Sequence, residues 1–84
     1  MTEQRRKNIQ ANVENYIKNV ELEIKGRGIT DQIEEVEWHQ ARAYRYIDGK
    51  TVEQVGEAYF YEYQYKYERL TDLLGTLYET LGII

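Results

Sequence analysis

The stretch Ala58–Leu70, AYFYEYQYKYERL, decides the fold, because Tyr59, Tyr61, Tyr63, Tyr65 and Tyr67 stand at every second position. On a strand that period puts all five phenols on one face. A pairing strand is at hand in ARAYRYI (41–47), followed by the hairpin dipeptide Asp48-Gly49. Such a hairpin leaves TVEQVGEAY to be accommodated elsewhere, and those residues carry the opposite signal. Thr51 with Gln54 three positions on forms a capping box. From there Val52, Val55, Tyr59, Tyr63, Leu70, Leu74, Leu77 and Leu81 hold a helical step through the tyrosine run and beyond it. The helical period outlasts the alternation, so helix is the reading.

Two more helices precede it. Ile9, Val13, Tyr16, Ile17, Val20 and Ile24 recur at steps of three and four, which predicts an amphipathic helix near 3–25 closed by Gly26 and Gly28. Ile29, Ile33, Val36, Ala43 and Ile47 predict a second near 30–47, with Asp31 and Glu34 as its capping box and Asp48-Gly49 as its end. Trp38 falls roughly 160° from Val36 on a wheel of 100° per residue. It shares its side of the helix with Ala41, Arg42 and Arg45 instead, where an indole packs on another element or sits in an interface.

The 84 residues make one all-α domain (1–84) with an N-terminal helix in 1–28, a second in 29–48 and the remainder in 50–84. A domain of this size buries only roughly 60–65% of its unfolded surface. The core is small and a second copy would extend it, so a homodimer is expected. Cysteine is absent, which removes disulfides and thiolate metal sites and fits a reducing, cytoplasmic setting. No apolar run of membrane-spanning length and no apolar leader occurs, so no membrane partner is expected. The net charge of −4 is uneven: 1–28 carry six basic and four acidic residues, whereas 29–84 carry five basic and eleven acidic. That balance excludes a uniformly basic nucleic-acid binder, and any such contact must come from a local cluster.

The segment Arg45–Leu74, RYIDGKTVEQVGEAYFYEYQYKYERLTDLL, resembles the helix-turn-helix of small phage transcription regulators of the ArpU and RinA kind, which are similar to the promoter-reading last domain of sigma factors. Arg45-Tyr46-Ile47 matches the end of the preceding helix, Lys50-Thr51 the turn, and Glu53-Gln54-Val55-Gly56-Glu57 the short first helix. Gly56 answers to a close helix crossing, Tyr59 to the buried anchor, Tyr61 to the turn aromatic and Glu62 to the cap of the reading helix. The resemblance implies helices near 51–59 and 62–81, with Tyr63–Arg69 as the recognition helix. Phe60 stands where the turn often has glycine, which leaves one continuous helix open as the alternative.

The resemblance implies binding of duplex DNA, with RNA polymerase or another host protein as further partners. Gln64 would read an adenine edge and Tyr63 and Tyr65 would touch phosphate or a thymine methyl. Lys66, Arg69, Lys50, Arg45 and Arg42 would hold phosphates, with Arg5, Arg6 and Lys7 as a basic arm. The competing class is a small acidic protein that binds and inhibits a host enzyme, in which Glu34, Glu35, Glu37, Glu53, Glu57, Glu62 and Glu68 imitate DNA charge. Trp38, Tyr61, Tyr67 and Tyr78 are the candidate protein-interface residues, since aromatics are enriched at such surfaces. No enzyme is expected and no cofactor. Serine and cysteine nucleophiles are absent, and Gly26-Arg27-Gly28 is too short for a phosphate loop. Glu35 and His39 lie one turn apart, but without an evident third ligand they read as a surface contact, so no metal is expected.

Overall fold

The structure, a computed structural model, describes residues 1–82. It contains α1 (Glu3–Ile24), α2 (Ile29–Arg45), α3 (Val52–Val55) and α4 (Glu57–Leu81), and no strand forms among the described residues. The tyrosine run is helical and the fold is all-α.

Thr2 opens α1, its Oγ1 accepting from the Arg5 N–H at 3.2 Å. The predicted stripe is the buried one, through Val13, Ile17, Val20 and Ile24. Gly26 then takes φ 84°, which an L side chain rarely adopts. α2 departs from expectation at its start. Gly28 is the N-cap and Ile29 the first helical residue, so Asp31 and Glu34 form no capping box. Asp31 lies in the first turn, where its charge favours the helix dipole.

The region after α2 corrects the expected boundaries. The capping box of Thr51 forms as read: its N–H donates to Gln54 Oε1 at 2.9 Å and its Oγ1 accepts from the Gln54 N–H at 3.3 Å. The helix it starts lasts four residues only and ends at Gly56. From Glu57 a single helix of 25 residues runs through Phe60, Tyr61 and Glu62, where the turn was expected. Nothing in 57–81 stops a helix, whereas Gly56 at φ 95° and ψ 137° holds a backbone that other residues avoid. Gly56 is therefore needed for conformation and not for close crossing, since a Cβ there would meet nothing within 4 Å.

α2 runs antiparallel to α1 and α4, which lie parallel to each other. Gln10 meets Tyr61 and Glu14 meets Tyr65 and Arg69 in ascending order, while Tyr46 meets Tyr63 and Gln40 meets Thr71 in descending order. One end of the three-helix layer is aliphatic, where Leu70, Leu74 and Leu77 of α4 close on Ile17, Val20, Ile24, Ile33 and Val36. Each such side chain stabilises the fold by about 1.5–3 kcal/mol on burial. The other end is built from tyrosine.

On a helix, residues two apart diverge and residues four apart align. The period of two thus splits into two ladders. Tyr61 stacks on Tyr65 with centroids 6.3 Å apart and faces α1. Tyr59, Tyr63 and Tyr67 form the second, which meets Tyr46 and Tyr44 on the α2 side. α4 touches two helices, and the alternation covers both. Tyr59 lies at the outer end of its ladder and is 62% exposed, so it does not anchor a core. Among the described residues no helix is long and apolar enough to cross a membrane.

Candidate functional site

α2 presents Trp38, Arg42 and Arg45 at intervals of four and three, and therefore along one side. Ala41 between them leaves room for a cleft. The turn after α2 adds Tyr46 and Lys50, and these six residues line a volume of about 430 Å³. A second cleft of about 380 Å³ adjoins it, sharing Trp38, Arg42 and Tyr46 and reaching Tyr16, His39, Tyr63 and Lys66. Trp38 is 54% exposed at the junction.

Aromatic planes hold the cations in place. The Arg42 guanidinium lies 5.2 Å from the Trp38 ring centroid, and Lys50 Nζ lies 6.0 Å from that of Tyr46. Lys66 Nζ sits between Tyr16 and Tyr63 at 4.6 and 4.8 Å. Tyr46 is stacked on Tyr63 with centroids 4.1 Å apart and planes inclined by 14°. Burial pushes the Tyr16 and Tyr63 phenols above their ordinary range, so both stay neutral at pH 7 and leave the cationic charge undiminished.

Residues 29–84 contain five basic side chains, and Arg42, Arg45, Lys50 and Lys66 all line these clefts. None of the four enters an ion pair among the described residues. The fifth, Arg69, is engaged elsewhere. Its Nε and Nη2 donate to the Glu14 carboxylate at 2.7 and 3.0 Å, and the Tyr65 hydroxyl donates to the same group at 2.7 Å. These contacts, Arg69 first and Tyr65 second, hold the Glu14 carboxyl below the usual carboxylate range. The face is thus a concentrated positive patch on an acidic chain.

Of the side chains expected to contact DNA, Tyr63, Lys66, Lys50, Arg45 and Arg42 come together here. Tyr65 and Arg69 do not, because they point to α1. Gln64 is exposed on α4 and lines neither cleft. Of the four expected interface aromatics, Trp38 is in the cleft and the others have internal partners. Tyr61 accepts from Gln10 at 2.8 Å with Arg6 over its ring, Tyr67 packs on Tyr44, and Tyr78 donates to Glu37 at 3.2 Å. The expected acidic surface is likewise partly spent: Glu57 pairs with the N-terminal amine at 3.0 Å and Glu35 with Arg27 at 3.7 Å. Sequence reasoning missed Tyr46 and Tyr16 as parts of the site. The helical stripe Trp38, Arg42, Arg45 extends naturally to Tyr46, whereas nothing local to α1 marks Tyr16.

No protein-family model, curated protein or solved structure matches this chain. Its functional reading rests on the geometry of this face.

Proposed function

We propose that the chain binds nucleic acid through the cationic-aromatic face of α2, the turn after it and the first half of α4, in the regulatory setting that the resemblance to phage transcription regulators implies. The observation that carries this is the gathering of Arg42, Arg45, Lys50 and Lys66, none of them ion-paired among the described residues, around the exposed ring of Trp38. Cations of this kind take phosphates, and an exposed indole offers a surface on which a base stacks. A cleft of about 430 Å³ falls within the size range of small-ligand pockets and has room for a base beside the indole.

A strand with unpaired bases suits this face better than a duplex read by a recognition helix. α3 has only four residues, and the exposed Glu68 in the middle of α4 repels the phosphates flanking a groove. A second reading, association with another copy of this chain, is favoured by a cleft of about 650 Å³ on the α1–α4 side, which includes Leu22, Ile24, Leu73 and Leu77.

The test is an anisotropy titration of labelled single-stranded and duplex oligonucleotides across a salt series. The expected result is tighter binding of the single strand, with log K falling against log salt at a slope of up to about −3 for four phosphate contacts. Arg42→Gln with Lys50→Gln lowers that slope by about 1.4, and Trp38→Leu weakens binding by about 1–3 kcal/mol with little effect on slope. Absence of binding at low salt overturns the proposal. If sedimentation then shows a species larger than the 10.1 kDa chain, the second reading replaces it.

A further inference from the structure

Behind the cleft, three potential metal ligands from two helices converge. Glu35 and His39 stand one turn apart on α2, and Glu23 reaches them from the antiparallel α1. His39 Nε2 lies 3.5 Å from Glu35 Oε1 and 3.8 Å from Glu23 Oε2, and the three ligand atoms all fall within 4.8 Å of one another. From these residues we infer a binding site for a divalent first-row transition ion, of which zinc(II) is the natural probe.

The separations favour a bridging ion over direct contact. An N–H donor bonds to oxygen at about 2.7–3.2 Å, shorter than either distance. Two ligand atoms bound to one ion at about 2.1 Å in tetrahedral geometry stand roughly 3.4 Å apart, close to what is seen. Glu23 is half-exposed and free to close the remaining edge by a change of rotamer.

The imidazole supplies an independent observation. Its Nδ1 lies 2.8 Å from the Tyr16 hydroxyl, while its Nε2 is shielded from solvent and has no hydrogen-bond partner. It is the one such side-chain atom among the described residues. In the tautomer that carries its proton on Nδ1, the Tyr16 oxygen accepts that proton and the Nε2 lone pair is open to an ion held jointly with the two carboxylates. Partners of this kind on the second ring nitrogen orient metal-bound histidines generally. Arg27 engages Glu35 through Oε2 at 3.7 Å and leaves Oε1 to the ion. Two carboxylates neutralise a divalent charge. One imidazole with two oxygens and no thiolate suits zinc, manganese, iron or cobalt, whereas calcium and magnesium prefer all-oxygen shells. Solvent completes the shell.

Trp38, the only tryptophan, stands edge-on to His39 with centroids 5.0 Å apart and reports on the site. The chain is freed of metal with a chelator and titrated with zinc(II) by calorimetry, and with cobalt(II) by Trp38 fluorescence. The expected result is one zinc per chain, quenching of Trp38 by cobalt and its reversal by zinc. Glu23→Gln weakens binding about tenfold or more with the circular dichroism unchanged, His39→Gln abolishes it, and Glu34→Gln, on the exposed side of α2, leaves it intact. Absence of saturable binding overturns the site. Equal affinity in wild type and Glu23→Gln does so as well, and that variant retains all core side chains.

Discussion

Arg69 separates two accounts of α4. As part of a recognition helix it would contact phosphate, and its removal would weaken DNA binding without affecting stability. In the structure it clamps α4 to α1 through a two-pronged pair with Glu14, to which Tyr65 adds a third bond. The side chains of Arg69 and Glu14 are 31% and 38% exposed, so the pair lies between the solvated and buried extremes. An exposed pair contributes at most about 1 kcal/mol, and breaking a buried one costs about 3–5 kcal/mol. Solvent screening places this node toward the lower end, so Arg69→Ala is expected to destabilise the fold by about 1–2 kcal/mol. For a domain of this size that lowers Tm by roughly 5–15 °C. Glu14→Gln should do the same, and the double variant should lose less than the sum. The pH dependence follows from the lowered Glu14 pKa. A carboxyl depressed on folding stabilises above its unfolded pKa, and that contribution fades as pH falls through the folded value. The gap between wild type and Glu14→Gln in urea unfolding should thus be widest near pH 7 and narrow steadily in acid. An Arg69→Ala chain that unfolds with wild type at pH 7, with no coupling to Glu14, would refute the clamp.

Gly56, between α3 and α4, and Gly75, within α4, should respond in opposite directions in the same unfolding assay. Gly56→Ala costs about 1–3 kcal/mol because of its backbone conformation, whereas Gly75→Ala gains about 0.5–1 kcal/mol because it lies inside α4 with open space at its Cβ. Tyr59→Ala, at an exposed position, should cost no more than about 1 kcal/mol, while Leu70→Ala, at a buried one, should cost about 2.5–5 kcal/mol. Circular dichroism melts giving the two comparable losses would return Tyr59 to the core.

The aliphatic half of the fold was legible because each helix there carries one stripe facing one core, and Val13, Ile17, Val20, Leu70, Leu74 and Leu77 are buried as the period requires. The Thr51 capping box was legible for a similar reason, since both its bonds span three residues. The tyrosine half was legible as helix but not in its packing. A stripe rule assumes one buried side, but α4 meets α1 and α2 at once, and its polar-tipped rings satisfy both contacts while staying partly wet. One continuous helix through Phe60 was an open alternative in the sequence, but its start at Glu57 was not legible, because the constraint at Gly56 is its backbone conformation and not close packing. Within the site, the Trp38–Arg45 stripe could be seen in advance because it lies on one helix. Tyr16 and Glu23 could not be seen, because both come from α1 and join only through tertiary packing.

The short α3 still serves the face, though not as half of a reading motif. By ending at Gly56 it returns the chain so that α4 starts beside the end of α2, which sets Tyr63 beneath Tyr46 and Lys66 beside Tyr16. A longer first helix would carry Tyr63 away from that stack and disperse the cations over two surfaces. The acidic remainder of the chain then becomes an asset. If the chain binds nucleic acid as proposed, exposed Glu53 and Glu68 would repel a polyanion outside the clefts and favour approach at Arg42, Arg45 and Lys50, which form no ion pair among the described residues. Net negative charge and a positive face are compatible on this account: the first would restrict the orientation in which a polyanion meets the second.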